Sequence, residues 1–430
     1  MLKAGFSRLD ITPPLGSYVA GYFQDRYAKG ILDPIYLNAV AISDGESSAV
    51  VITADILNLA ANYADEIRKL IAERTGLPAN HIMISCLHQH TSVVIRGSGP
   101  KATASDKGYM DIFYRKCADA AQLALADMKD ATLWVGERQT DEPIAFIRRY
   151  LMKDGTIQTN PGVKNKDNIE RPCGEADNTV RLLRFKREGA NDIAFVNFST
   201  HPDVIGGELL SADWPGFVRR FVERDIEGVS CLLLNGVQGD SNHFNFMGGV
   251  AGKGYVHSEY MGRMIADSVI KLWDGLTEHT VDTVKADVTN VYNKTRTDGE
   301  ERYEECKKII AEHSRGEGGK KYSATIMGEA NRIVNIRTAT IYRRLPVTVI
   351  SFGDISIVGF GGEPFTHYAT AVREACPDRY IVASCCANGG EGYLPTASAF
   401  AEGGYEARSS MFTPTLESEC VEAAVKLINA

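Results

Sequence analysis

The amino-acid sequence predicts an α/β fold, with mixed β-sheets flanked by helices and a functional site built from loops at strand ends. Short apolar runs of strand length alternate along the chain with amphipathic segments of helix length. Several of these apolar runs lead into a polar loop that contains glycine. Because ligand sites in α/β sheets gather beyond the ends of strands, these loops are the first place to look for function.

The length and composition of the chain limit the classes of protein to which it can belong. A chain of 430 residues can bury a large core, and we expect one continuous domain over 1–430. Hydrophobic residues make up 44% and charged residues 24%, which is typical of a globular protein in water. The net charge of −8 disfavours nucleic acid and anionic membrane surfaces as partners. We therefore expect a small-molecule substrate and no stable membrane association, while the oligomeric state cannot be read from the sequence.

The beginning of the chain and its cysteines predict a cytoplasmic location. The first residues lack the apolar segment of a secretion signal, and no run is long and apolar enough to span a bilayer. Nine cysteines are scattered without a repeated spacing, which favours reduced thiols. We interpret the adjacent Cys385 and Cys386 as core packing at a strand end, since a disulfide between neighbours is strained.

The first third of the chain reads as strand, helix, strand, helix. Asp55 closes the second apolar run, where an acidic residue serves either as a helix cap or in a site. Gly76 and Pro78 end the first helix. The predicted elements are a hairpin of Ala39–Ile42 and Ala49–Thr53, a helix over 61–75, a strand over Ile82–Ile84, a loop at Gly97, Gly99 and Pro100, and a helix over Tyr109–Met128.

The rest of the chain continues this alternation. The region from Arg148 to Asp177 is polar, rich in turns and long for a loop in a compact domain, which favours a functional role. The charge-rich stretch 295–335 predicts a solvated helical excursion without chemistry. The predicted strands are Thr132–Gly136, Val180–Phe185, Ile193–Phe198, Cys231–Leu234, an edge strand over 281–292, Pro346–Ser351, Ile355–Phe360 and Tyr380–Ser384, and the predicted helices follow residue 216, span 257–273 and close the chain at Glu417–Ile428.

Two histidines lie just past the strand Ile82–Ile84. His88 and His90 are two residues apart in a polar loop, so both imidazoles can point to the same side. Imidazole is the commonest ligand for borderline metals such as zinc and the usual general base near neutral pH. Taken alone, the pair is either a metal site or a polar strand end.

The same pattern recurs at four later strand ends, and together these residues favour a metal site. Two histidines and a carboxylate form the donor set of hydrolytic zinc centres, which leave one position for water. Each residue alone would be an ordinary polar group of a loop. The later candidates are His201, the run Asp240, Ser241, Asn242 and His243, then Glu363, and finally Tyr393.

The order of these motifs resembles the catalytic domain of neutral, non-lysosomal ceramidases, and more closely the short bacterial ceramidase-like proteins. The resemblance covers most of the 430 residues, and each motif is short but the shared order is specific. The motifs are Asp10-Ile11-Thr12, Thr53-Ala54-Asp55, His88-Gln89-His90-Thr91-Ser92, the His201 segment, Gly239-Asp240, Gly361-Gly362-Glu363-Pro364, and Gly392-Tyr393 followed by Tyr405.

The resemblance implies a zinc-dependent, amidase-type hydrolase in which a metal-activated water attacks an amide or ester bond of a small substrate. It implies that the zinc ligands are His88, His201, Glu363 and Tyr393. It also implies that His90 positions the substrate or the attacking water, and that Arg148 and Tyr405 contact the scissile group.

Two departures from the family pattern concern the substrate. Ceramidases carry a serine shortly after the glycine–aspartate pair, whereas Asn242 occupies that position here and Ser241 lies one residue early. We keep Asp240 and Asn242 as catalytic candidates, and Ser241 and His243 as substrate-binding candidates. We also expect neither the C-terminal β-sandwich domain nor the secretion signal of true ceramidases.

The loops around the expected site lack a clear apolar rim. Only Val93, Val94 and Ile95 form an apolar cluster there. A ceramidase must draw two hydrocarbon chains from a membrane or micelle, so we expect weak activity on long-chain ceramide and activity on a smaller, more polar substrate. Two alternatives remain open: a hydrolase acting on a sugar-derived polar molecule, and a metal-binding or carbohydrate-binding protein without catalysis.

Overall fold

The computed structural model describes residues 1–95, 104–315 and 322–430. The predicted loop at Gly97, Gly99 and Pro100, and residues 316–321 of the charge-rich stretch, lie outside the described residues. The strands are β1 (Lys3–Asp10), β2 (Gly30–Ile31), β3 (Tyr36–Ser43), β4 (Ser48–Ala54), β5 (Asn58–Leu59), β6 (Ile82–Cys86), β7 (Val94–Ile95), β8 (Lys129–Gln139), β9 (Phe146–Ile147), β10 (Arg149–Met152), β11 (Ile157–Thr159), β12 (Ile169–Pro172), β13 (Thr179–Arg187), β14 (Asp192–Phe198), β15 (Leu209–Leu210), β16 (Val229–Asn235), β17 (Ser241–Asn242), β18 (Thr277–His279), β19 (Val284–Lys294), β20 (Tyr342–Phe352), β21 (Ile355–Phe360), β22 (Glu363–Pro364), β23 (Tyr380–Ser384) and β24 (Tyr393–Leu394).

The helices pack around the sheets and beside one another, and the longer ones bury an apolar face, as amphipathic patterns require. They are α1 (Ala61–Thr75), α2 (Ala104–Ala126), α3 (Asp213–Asp225), α4 (Tyr255–Leu272), α5 (Tyr303–Arg315), α6 (Ala324–Ile336), α7 (Thr366–Ala375), α8 (Ala397–Glu402), α9 (Tyr405–Ser409) and α10 (Leu416–Ile428).

The larger sheet has nine strands and mixed pairing. Its order is β16-β14-β13-β8-β1-β3-β4-β6, with β18 paired to β8. The predicted hairpin is present as β3 and β4, which pair antiparallel from Leu37 opposite Ala54 to Ser43 opposite Ser48. The pairs β4–β6 and β14–β16 are parallel. The loop of His88 therefore follows the edge strand β6, and the loop of His201 follows β14, the second strand from the opposite edge of this sheet.

The smaller sheet has four strands in the order β19-β20-β21-β23. Its edge strand is β19, as the alternating pattern of residues 281–292 predicts. The inner strands β20 and β21 are antiparallel, whereas β21 and β23 are parallel. This parallel pair sends the loops that carry Glu363 and Tyr393 off the same end of the sheet.

The two sheets pack face to face and share a core. Phe185 and Phe195 of the larger sheet belong to the same buried cluster as Ile350 and Phe352 of the smaller one. The rings of Phe185 and Phe352 lie 6.0 Å apart. Helices α1 to α4 cover the outer face of the larger sheet, and α7 and α10 cover the outer face of the smaller one. The predicted α/β class with mixed sheets flanked by helices is confirmed, as a four-layer arrangement.

Two segments differ from the sequence predictions. The region from Arg148 to Asp177 is not an irregular loop, because β10, β11 and β12 within it form a small antiparallel sheet. The charge-rich stretch is not merely solvated: the apolar side chains of Ile333 and Ile336 on α6 form a buried cluster with Met411. Both segments carry enough apolar surface to pack beside the site despite their polar composition.

None of the nine cysteines forms a disulfide, and Cys385 and Cys386 are buried free thiols at a strand end, as predicted. Among the described residues, no helix has the length and apolarity needed to cross a membrane.

Candidate metal centre

His88 lies two residues past the end of β6 and has an unusual backbone conformation. Its φ of 74° is unusual for a residue with a side chain. Its backbone N–H donates to Ile56 O at 3.0 Å, and its ring Nδ1 lies 2.9 Å from Leu57 O. Because a carbonyl can only accept, Nδ1 carries the proton and Nε2 presents its lone pair.

His201 follows β14, and its ring Nδ1 is also held by backbone carbonyl groups. Its Nδ1 lies 2.7 Å from Gln238 O and 3.0 Å from Ser241 O. These two carbonyls assign the proton to Nδ1 and leave Nε2 as an acceptor, as in histidines that bind metals through Nε2. The ring is completely buried.

Glu363 lies between these two histidines. One carboxylate oxygen, Oε2, is 3.3 Å from Nε2 of His88 and 3.2 Å from Nε2 of His201. Nitrogen and oxygen ligands about 2.0–2.1 Å from a tetrahedral zinc lie roughly 3.3–3.4 Å apart. The spacing and the chemistry of this donor set therefore fit a zinc ion.

The charges of Glu363, His88 and His201 depend on one another. Burial raises the pKa of Glu363, but the two imidazoles outweigh it and hold that pKa well below its usual range. Burial lowers the pKa of His88, but Glu363 raises it more, so the net shift is upward. Burial and Arg148 lower the pKa of His201. The carboxylate is thus ionised, and it faces the lone pair of His88 unless a proton or a metal ion lies between them.

His90 completes a group of three buried histidines. The ligand atoms of His88, His90 and His201 lie within 4.8 Å of one another, so this group could hold a metal ion. Within the described part of the chain, neither ring nitrogen of His90 has a hydrogen-bond partner. Gly21 allows the ring its position, since a Cβ there would lie 2.6 Å from His90 Nδ1. Burial lowers the pKa of His90 to about 3, which keeps the ring neutral.

Tyr393 and Arg148 border the carboxylate. Strands β22 and β24 pair in parallel with Glu363 opposite Tyr393, which brings the two side chains to the same end of the smaller sheet. Nη2 of Arg148 donates to the Tyr393 hydroxyl at 2.8 Å, and its Nη1 lies 3.2 Å from His201 Nε2. Nε of Arg148 donates to Glu406 Oε1 at 2.5 Å, so the guanidinium is fixed by a buried carboxylate.

Tyr405 is the first residue of α9 and lies against the same guanidinium. Its ring is 5.4 Å from the ring of Tyr393 and 5.8 Å from Cζ of Arg148. Helix α6 packs directly behind it, because a Cβ on Gly328 would approach the Tyr405 ring to 2.8 Å. Burial raises the pKa of Tyr393 well above its usual range and the pKa of Tyr405 to about 12, so both are neutral phenols in this arrangement.

The side chains of the Asp240 run do not join this cluster. Asp240 Oδ1 accepts from the backbone N–H and the hydroxyl of Thr366, both at 2.8 Å. The hydroxyl of Ser241 is directed at Ser199 O, 3.4 Å away. Asn242 uses both ends of its amide: Nδ2 donates to Asn160 Oδ1 at 2.7 Å, and Oδ1 accepts from the backbone of Phe244.

His243 lies beside Asp203, an acid that the sequence pattern of strand ends does not single out. Its Nδ1 is 3.4 Å from Asp203 Oδ1, but neither nitrogen of His243 has a hydrogen-bond partner. Asp203 is only two residues past His201, so its position in the His201 loop could have identified it as a site candidate from the sequence. Glu406 could not have been identified from the sequence, because only the fold brings it to Arg148.

Asp55 is neither a helix cap nor part of the cluster. Helix α1 begins six residues later, with Ala60 as its cap. The carboxylate is buried against Arg219, whose Nη1 and Nη2 donate at 2.9 and 2.5 Å. It also accepts from the amide of Gln89 at 3.0 Å. Asp55 therefore anchors the loop between the two histidines.

Comparisons with known proteins identify the fold. No protein-family model and no curated protein matches the sequence. Among solved structures, neutral ceramidase from Pseudomonas aeruginosa is similar at a TM-score of 0.74 and 14% identity, covering 99% of this chain and 74% of that one. A ceramidase complexed with C2 is similar at a TM-score of 0.72, with the same identity and coverage. The chain has a ceramidase-like fold, as its motifs predict.

Proposed function

We propose that this chain is a zinc-dependent hydrolase that cleaves an amide or ester bond of a small polar substrate. The observation that carries the proposal is the position of one Glu363 oxygen at 3.2–3.3 Å from Nε2 of both His88 and His201. The ceramidase-like fold supports the reaction class, because the similar solved structures are named as ceramidases.

In this proposal, His88, His201 and Glu363 hold the ion, and Tyr393 is the fourth candidate ligand. Tyr393 is the weakest, because phenolate is an uncommon ligand and its hydroxyl already accepts from Arg148. His90 is the alternative, since its ring nitrogens have no partner and lie within reach of the other two histidines. Zinc bound there would supply an acidified water and polarise the scissile carbonyl.

The remaining groups have roles suited to hydrolysis. His90 is neutral and its ring nitrogens lack partners among the described residues, so it can hydrogen-bond the attacking water or the substrate and position it. Arg148 is fixed by Glu406, and Tyr405 lies against it, so both can donate to the oxyanion that develops on the substrate. A fixed donor needs little reorganisation during the reaction, which is the physical basis of its effect.

The first test is metal content. We expect about one zinc per chain in protein purified without added metal, measured by elemental analysis, and a large loss in the His88→Ala and His201→Ala variants. His367→Ala is the matched control, because His367 is exposed on α7 and pairs with Glu417 away from the centre. Full zinc content in both site variants would refute the ligand assignment.

The second test is substrate class. With zinc present, we expect turnover of short acyl-amide and acyl-ester substrates to exceed turnover of fluorescent long-chain ceramide. Faster turnover of ceramide would instead favour a ceramidase proper. A protein that binds zinc but hydrolyses none of these substrates would favour the non-catalytic binding protein.

A further inference from the structure

Next to the histidine group lies a buried acid–imidazole pair that the proposed reaction does not use. The side chain of His243 is completely buried and that of Asp203 is 15% exposed. Asp203 Oδ1 and His243 Nδ1 are 3.4 Å apart, and among residues 1–95, 104–315 and 322–430 neither that oxygen nor either nitrogen of His243 has a hydrogen-bond partner of normal geometry. Buried polar atoms without partners are rare in folded proteins and commonly mark groups that bind a ligand or water.

The side chain of Asp203 keeps some contact with the adjoining space, whereas His243 is closed off behind it. Because carboxyl oxygens accept hydrogen bonds, an accessible carboxyl group favours a ligand that donates them.

Asp203, but not His243, borders a cavity of about 620 Å³. Asp203 forms part of its wall, and so does Tyr22, whose ring is 5.1 Å from that of His90. Phe244 and Phe246 form an aromatic wall, with their rings stacked 5.2 Å apart. The volume is typical of pockets for small organic molecules.

The lining distinguishes between classes of ligand. A hydrocarbon chain would remove water from the Asp203 carboxyl group without offering it a hydrogen bond, which is unfavourable. A cationic ligand would meet Lys164 and Lys253 on the same lining. A neutral ring with several hydroxyls satisfies both constraints, because its hydroxyls donate to Asp203 while its C–H faces pack on Phe244.

We propose that Asp203, Tyr22 and Phe244, with His243 packed behind Asp203, form a recognition subsite for a hydroxyl-rich ring, such as a sugar or cyclitol, in the part of the substrate remote from the scissile bond. The inference rests on the proposed function for the identity of that bond, but the recognition itself is independent of catalysis. It makes an N-acyl or O-acyl polyol the substrate class.

The test compares three amides that share a six-membered ring. They are N-acetylglucosamine, N-cyclohexylacetamide, which lacks the hydroxyls, and N-(4-aminocyclohexyl)acetamide, which adds a positive charge. We expect the zinc-loaded wild-type protein to bind N-acetylglucosamine at least tenfold more tightly than either analogue, measured by ligand-observed NMR. Equal binding of all three, or tighter binding of the apolar or the cationic amide, overturns the subsite.

Two variants test whether Asp203 and Phe244 cause the preference for N-acetylglucosamine. In Asp203→Asn, we expect the preference for N-acetylglucosamine over N-cyclohexylacetamide to fall to within twofold, while the affinity for N-cyclohexylacetamide stays unchanged. Phe244→Leu keeps the carboxylate and should lose only part of the preference, so it serves if Asp203→Asn fails to fold. A preference retained in full by both variants overturns the assignment.

Binding and turnover separate this inference from the proposed function. If the protein shows the hydroxyl preference but hydrolyses none of the amides, the subsite stands and the hydrolase proposal fails. If it hydrolyses N-cyclohexylacetamide as well as N-acetylglucosamine and binds both equally, the hydrolase proposal stands and the subsite fails.

Discussion

Gly239 shows how a single residue without a side chain positions the candidate centre. A Cβ at this position would lie 2.2 Å from the backbone oxygen of Glu363, and its own N–H donates to Pro364 O at 2.8 Å. Any side chain must therefore push the backbone of a candidate ligand away from the histidines. The glycine of the Gly239-Asp240 motif matters for this contact, while the carboxylate of Asp240 caps Thr366 instead.

We predict that Gly239→Ala lowers zinc affinity and destabilises the protein by about 1–3 kcal/mol, the usual effect of overpacking. Metal titration with a chromophoric chelator and urea unfolding measure the two effects. Gly108→Ala is the matched control, because nothing lies within 4 Å of a Cβ there and alanine is favoured in a helix by about 1 kcal/mol. Unchanged zinc affinity in Gly239→Ala would mean that Glu363 does not depend on this contact.

The candidate site residues that the sequence could predict are those that lie just past an apolar strand. His88, His201 and Glu363 satisfy that rule, and the recurring strand-end pattern together with the family resemblance predicted that they meet. The partners of these residues were not predictable, because Asp203, Glu406 and Gln238 reach them only through contacts between distant elements. A polar residue in a loop has no sequence signature that separates a site contact from a solvated side chain.

At the scale of elements, the ion pairs of Asp177 join the larger sheet to a helix of the smaller one. The carboxylate lies 2.9 Å from Arg181 on β13 and 3.5 Å from Arg373 on α7. Burial raises its pKa, but Arg181, Thr179 and Arg373 outweigh burial, so the pKa lies below its ordinary value of 3.8. The ionised carboxylate thus stabilises the contact between β13 and α7.

Because the pKa is lower in the folded state, this stabilisation is present above pH 3.8 and is lost as the pH falls through the folded-state pKa. We predict that Asp177→Asn destabilises the protein by about 2 kcal/mol near neutral pH. The difference from the wild type should shrink steadily in acid, as measured by urea unfolding across the pH range. A difference that is constant with pH would show that the ionised form is not the stabilising one.

The longer elements followed from their sequence patterns, and the shortest did not. The runs that became β3, β4, β20 and β21 are apolar enough to fix both the strand and its burial. Strands β22 and β24 have two residues each and pair only because β21 and β23 end side by side. This pairing, which sets Glu363 opposite Tyr393, depends on tertiary structure and was beyond any local pattern.

At the scale of the whole molecule, the candidate ligands come from both sheets. His88 and His201 follow strands of the nine-stranded sheet, and Glu363 and Tyr393 follow strands of the four-stranded sheet. The two sheets share one buried core. A metal bound by these residues would therefore cross-link the two sheets, and one continuous domain over 1–430 stays a prediction.

Zinc should accordingly stabilise the entire molecule in one transition. A ligand that binds only the folded state at a free concentration a hundredfold above its dissociation constant adds about 2.7 kcal/mol. We predict a single calorimetric unfolding transition whose midpoint rises with free zinc in the wild type and does not move in His201→Ala. The His367→Ala control should follow the wild type. Two separate transitions, of which zinc shifts only one, would contradict both the shared core as a cooperative unit and the assignment of ligands to both sheets.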